Sequence, residues 1–211
     1  MRRGTIFAIS VTAAGLALGG IALAQAPAPA APAAVPKAAE APKKAEPKAK
    51  AAPRTKEWKV QNALSAAPRA IGKDATVLDH PAKEGGEMPV LRKGTNDWTC
   101  FPDDPITPSN DPMCLDKNSV AWAEAWMGKK EPKLSGPGIA YMLQGGGSAS
   151  NTDPYATKPA AGEKWLKEAP HVMVFPGTKL DAKLHSTDPY SGGPWIMWAG
   201  TPYEHLMVPV K

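Results

Sequence analysis

Cysteine is nearly absent from this sequence. Cys100 and Cys114 are the only two in 211 residues. There is no Cys-x-x-Cys redox pair, no haem-attachment motif and no zinc spacing. Histidine is scarce as well, with four residues, and none sits in a His-Glu-x-x-His motif. Ser-x-x-Lys does not occur. Gly145-Gly146-Gly147-Ser148-Ala149-Ser150 is not a nucleophile elbow, because Ser150 stands where the last Gly belongs. The same glycine run lacks the Lys and Ser/Thr of a phosphate loop. Beyond the first 24 residues no apolar run approaches the roughly 18 residues of a membrane span. These absences remove the common hydrolase, zinc and nucleotide classes.

What is present is uneven. The net charge of +5 is carried by the N-terminal region. Residues 25–57 hold seven Lys/Arg against three Glu, whereas 58–211 hold 16 basic and 17 acidic side chains. A basic nucleic-acid-reading domain is therefore not expected. Residues 1–24 read as a signal peptide: Arg2 and Arg3, an apolar stretch from Ile6 to Leu23, and Ala22-Leu23-Ala24 as a small-x-small cleavage site. A cut after Ala26, or retention as an anchor, is the alternative; Pro27 directly after the second site disfavours it. Residues 25–57 read as a disordered Ala/Pro/Lys-rich spacer. Between 26 and 55 there are 13 Ala and 7 Pro. Such a chain cannot bury enough apolar surface to offset its ordering entropy. Its cationic character suits anionic cell-envelope polymers or a membrane surface. The address is periplasmic or secreted, and 58–211 is expected to be a single globular domain.

In an exported protein the two cysteines are expected to pair. The segment between them is rich in Pro and Asp, and its Asp103-Asp104 pair reads as solvated turn residues. Asp103, Asp104, Asp111 and Asp116 match no EF-hand spacing. A short irregular helix is expected at Gln61–Lys73, interrupted by Pro68. Ala75–His80, Met88–Arg92 and Asp97–Phe101 read as a β-meander. Leu115–Gly128 is a helix, with Asp116 as N-cap and Gly128 as a stop. Gly138–Leu143 is a buried strand and Gln144–Ser148 a flexible loop. His171–Phe175, Pro194–Trp198 and His205–Val210 are the last strands, with Pro209 marking an edge. The expected class is α+β: an antiparallel sheet packed with one main helix and long Pro/Gly-rich loops.

The last sixty residues repeat. Thr152-Asp153-Pro154-Tyr155 recurs as Thr187-Asp188-Pro189-Tyr190, and His171-Val172-Met173-Val174 as His205-Leu206-Met207-Val208. The units run 152–174 and 187–208. Each reads as a turn whose Tyr closes on the core, an aromatic strand, and a His-x-Met-Val strand. Positions i and i+2 of a strand share a face, so His171 with Met173, and His205 with Met207, could converge on Cu(I), which takes imidazole and thioether donors. Glu204 or Asp79 could orient an imidazole. His80 and His185 read as loop histidines without a catalytic partner. The seven tryptophans read as core filling, with an exposed glycan or peptide platform around Trp195 and Trp198 as the alternative.

The stretches Gly94–Cys100, Asp111–Asp116 and Gly200–Pro209 resemble a family of small, uncharacterised secreted bacterial proteins. The resemblance spans most of 60–211 but not the spacer. It implies one coherent exported domain and no particular activity. The leading expectation is an exported cell-envelope binding or structural module without catalytic activity. The alternatives are a periplasmic copper-binding protein using the two His-x-Met pairs, and an enzyme of unrecognised class.

Overall fold

The computed structural model describes residues 54–83 and 85–210. The expected signal peptide lies outside the described residues, as does the expected spacer up to residue 53. Two helices open the described chain, α1 (Lys56–Leu64) and α2 (Arg69–Gly72). Helix α1 starts five residues earlier than the expected Gln61. The Thr55 hydroxyl accepts from the Trp58 amide at 3.2 Å and Glu57 occupies the first turn, so a cap and a favourable charge fix the start. Pro68 separates the two helices, as the sequence indicates.

Thirteen elements make a mixed α+β fold. Strands β1 (Thr76–Leu78), β2 (Val90–Arg92), β3 (Thr99–Phe101) and β4 (Met113–Leu115) precede helix α3 (Lys117–Met127). Strands β5 (Gly138–Met142), β6 (Gly146–Ser148), β7 (Leu166–Glu168), β8 (His171–Phe175), β9 (Trp195–Met197) and β10 (His205–Pro209) follow. Eight strands form one sheet in the order β2-β1-β3-β4-β5-β8-β10-β9, while β6 and β7 form a separate two-stranded ribbon.

Three expectations change. The sheet is mixed, because β1 lies antiparallel to β2 but parallel to β3; β1 in the middle replaces the expected meander. Strand β10 is interior rather than an edge. Pro209 is tolerated because β9 pairs only with His205–Met207, leaving Pro209 beside β8 alone. Gly146–Ser148 is a paired strand rather than a flexible loop. Gly146 sits so tightly that an added Cβ would meet the Glu168 Oε2 at 2.9 Å and the Met142 Cε at 3.0 Å.

The Asp116 carboxylate starts α3 by accepting from the Ser119 amide at 2.7 Å, and its second oxygen takes the Ile139 amide of β5 at 2.8 Å. One side chain thus caps the helix and ties it to the sheet. Side chains alternate across the strands, so the sheet has two distinct faces. The front face carries Leu115, Ala140, Met173 and Met207 and is covered by Trp122 of α3. The back face carries Cys100, Cys114 and Val77 and is covered by Ala63 of α1 with Ala66 and Ala67. The two helices therefore lie on opposite faces, toward opposite ends of the sheet. Among the described residues no helix is long and apolar enough to cross a membrane.

Candidate functional site

The front face is a grid set by strand register. Gly138, Phe175, His205 and Met197 form one row across β5, β8, β10 and β9. Ala140, Met173, Met207 and Trp195 form the next. Met142, His171 and Pro209 form the third. All four residues of the two His-x-Met pairs share this face, and β8 and β10 are neighbours. The pairing is antiparallel, however. Met173 lies directly opposite Met207, while His171 lies opposite Pro209. His205 is four residues along from Pro209, roughly 13 Å of strand. The four donors therefore do not gather as one set, and the two imidazoles belong to different surroundings.

His205 is enclosed by aromatic rings. Trp122, Phe175 and Trp198 have centroids 5.1–5.2 Å from its ring. Its Nδ1 bonds the Tyr203 carbonyl at 2.9 Å. Burial pushes its pKa down to about 4, so the ring is neutral at ordinary pH. His171 repeats the local device, with Nδ1 bonding the Ala169 carbonyl at 2.7 Å. It too is buried, and burial lowers its pKa. Its Nε2 is buried without a hydrogen-bond partner. Backbone carbonyls thus orient both rings, not the expected carboxylates. Glu204 accepts from the Leu180 and Gly200 amides at 2.8 Å each. Asp79 pairs with Lys59 at 2.6 Å.

Trp122 and Trp195 are buried in the front core, in line with the core-filling expectation, with Trp126 and Trp198 packed against it, whereas Trp58 is 39% exposed. Three indoles clamp the turn before Tyr155. Trp126 Nε1 donates to the Pro154 carbonyl at 3.0 Å, Trp198 Nε1 to the Ser150 carbonyl at 3.0 Å, and Trp195 Nε1 to Asn151 Oδ1 at 3.2 Å. Asn151 in turn donates to the Thr187 carbonyl at 2.8 Å, joining the two Thr-Asp-Pro-Tyr turns. Trp198 holds a left-handed backbone, with φ of 53°. That conformation costs a bulky residue energy, and stacking on Trp122 and Trp126 with the Ser150 bond offsets it. Both turns make the same bond, from Tyr155 or Tyr190 N–H to the Asp153 or Asp188 carboxylate at 2.9 Å. Only the first tyrosine reaches the core: Tyr155, 42% exposed, packs edge-on against the buried Tyr203 with centroids 5.7 Å apart, while Tyr190 is 71% exposed. Beyond the turns the units diverge, since β7 joins the ribbon and β9 joins the main sheet.

A second polar centre was not expected. Asp103 and Asp111, in the segment between the cysteines, are buried rather than solvated. They brace that segment reciprocally: Asp103 Oδ1 accepts from the Asp111 amide at 3.1 Å, and Asp111 Oδ1 from the Asp104 amide at 3.0 Å. Arg54 pairs with Asp103, and Thr107 donates to Asp111 Oδ2 at 2.5 Å. The ribbon brings Glu168 against this segment. Its carboxyl is inside the protein, with Oε1 unpartnered. Burial, reinforced by the nearby Asp111 charge, raises its pKa to about 7. Burial likewise raises Asp111 to about 6. The only sequence signal for this junction is the glycine run, whose missing side chains permit the approach; an added Cβ on Gly147 would run into the Ser109 hydroxyl.

His80 is structural, with Nε2 at 2.8 Å from the Pro102 carbonyl. His185 lies in the turn after β8, its amide bonded to the Asp181 carbonyl at 3.2 Å. Among the described residues, one hollow of about 180 Å³ lies beside Asn96, Thr99 and Lys117, and another of about 120 Å³ beside Trp122, Leu134 and Phe175. Both are below the roughly 300 Å³ of a ligand pocket. Among the described residues no three His, Cys, Asp or Glu side chains gather as a metal-holding group. No family model, curated protein or solved structure matches this chain.

Proposed function

We propose that the protein is an exported, non-catalytic module of the bacterial cell envelope, held away from a surface by its N-terminal spacer. The observation that carries this reading is the Cys100–Cys114 disulfide. The two cysteines face each other across β3 and β4, fully buried under α1. A disulfide built into the centre of a small core fits an oxidising compartment. In this reading α3 is the main helix of the fold, and the long Pro- and Gly-rich connections are passive links. The spacer, with seven Lys/Arg against three Glu in 25–57, contacts anionic envelope polymers or lipid head groups and contributes no ligand of its own.

The test is expression of the full chain in a Gram-negative host, followed by fractionation. The expected product begins at Gln25, resists thiol alkylation until reduced, and stays with the envelope fraction at low salt. Deleting 25–53 should release it to the soluble periplasm without changing its thermal melt. A chain that keeps Met1–Ala24 and free thiols in the cytoplasm would overturn the reading.

A further inference from the structure

We propose that the His171 imidazole and the thioethers of Met142, Met173 and Met207 form a binding site for the soft monovalent ion Cu(I). Register assembles the set. Met142 lies directly across from His171 on β5, Met173 is two residues along the same strand, and Met207 lies directly across from Met173 on β10. All four point to the front face and belong to one buried patch: His171 is 0% exposed, Met142 6%, Met173 8% and Met207 1%.

The orientation of the imidazole is the second support. Its Nδ1 faces the Ala169 carbonyl at 2.7 Å, so Nδ1 carries the proton and Nε2 presents a lone pair. Metal-ligating histidines are fixed this way, with the remote N–H given to a backbone carbonyl. No donor meets that lone pair, although the atom is buried. A buried acceptor without a partner is uncommon and calls for an explanation. The four donors are thioethers and an imidazole, a set that favours Cu(I) over the harder divalent ions; the buried Glu168 carboxyl lies beside Met142, both approaching Gly146, and is not counted among them. His205 takes no part, being at the other end of the strand pair inside its aromatic enclosure. The structure thus replaces one donor of the pairs expected from sequence, His205, with one that sequence spacing could not supply, Met142.

The test is an anaerobic Cu(I) titration of the full, disulfide-intact chain against a chromophoric competing chelator, repeated with Ag(I) as a redox-inert probe. One equivalent is expected, with sulfur and a single nitrogen around copper by X-ray absorption. Met142→Leu/Met173→Leu keeps the packing volume and should weaken binding about 100-fold. Met197→Leu, in the same core on β9, should leave it within about twofold. Near-UV circular dichroism verifies that the variants fold; should the double variant not fold, Met207→Leu serves in its place. Absence of a bound equivalent, or affinity unchanged in the Leu variant, overturns the site while leaving the export reading intact, since that is tested by processing and fractionation.

Discussion

The two cores of this molecule are built on different principles. The back core under α1 holds Ala63, Ala66, Ala67, Ala75, Val77 and the two cysteines. The front core under α3 holds Trp122, Phe175, Trp195, Tyr203, Leu115 and four methionines, with Ala140 the one small residue. Small side chains let a helix sit close to a sheet but bury little apolar area each, and stabilisation follows that area. The back core compensates with a covalent link and with ties from α1 and the residue before its cap to the loop: Asn62 of α1 accepts the Asp103 amide at 2.7 Å, and Arg54 pairs with Asp103. The front core needs no link, because rings and thioethers interlock across four strands. One sheet thus shows two routes to a stable layer.

The contrast can be broken most directly at Trp122. Trp122→Ala should cost about 3–5 kcal/mol in urea unfolding, the usual loss for a large buried aromatic. A cost below ~1 kcal/mol would mean the rings do not hold the front core. Cys100→Ala/Cys114→Ala should cost about 3 kcal/mol, the value expected for closing a loop of this length. Because the sites lie on opposite faces, the two losses should add within ~0.5 kcal/mol; strong coupling would show that the cores are one unit.

Acidity should act on Glu168 of the ribbon and His205 of the front core in opposite senses. The folded pKa of Glu168 is raised to about 7, from 4.5. Its stabilising contribution is therefore greatest below 4.5 and is lost as pH rises to about 7. Glu168→Gln cannot ionise and should gain on the parent over that interval, by up to roughly 3 kcal/mol. His205 is lowered to about 4, from 6.5. Its contribution is present above 6.5 and is lost as pH falls through 4. His205→Phe should accordingly shift the acid-unfolding midpoint downward. Urea midpoints between pH 4 and 8 read both effects; parallel curves for parent and variants would refute the assignment. The smallest effects should come at the caps. Thr55→Ala should cost ~1 kcal/mol, and Asp116→Ala somewhat more, since it also frees the Ile139 amide. Thermal melts order the two.

Legibility from sequence follows the same divide. The front strands announce themselves: His171–Phe175 alternates buried and half-buried residues at period two, as does Gly138–Met142. Helix α3 carries its own punctuation in Asp116 and Gly128. The back half has strands of three residues, such as Met113–Leu115, whose pairing comes from neighbours rather than from local preference. The parallel β1–β3 contact leaves no local trace. Glycine strands such as Gly146–Ser148 have no side-chain pattern to read. At the candidate site, face parity was legible, because alternation fixes it. Strand direction was not, and it is direction that parts His171 from His205; the β5–β8 register that sets Met142 across from His171 was not legible either. Asp111 and Glu168 look like solvent residues by type; only the packing of the ribbon reveals them as buried.

The indoles of Trp122, Trp126 and Trp198 stack with centroids 5.6–6.1 Å apart and interplanar angles of 8–26°. Chromophores so close exchange excitation, so this trio acts as a built-in optical gauge. Its rotational strength in the near ultraviolet reports the tightness of the front layer, which far-ultraviolet signals from backbone do not sense. Among the described residues the back layer carries the tilted Trp98–Tyr141 pair, 5.4 Å apart at 35°, so near-ultraviolet signals weight the front layer while thiol chemistry reads the back.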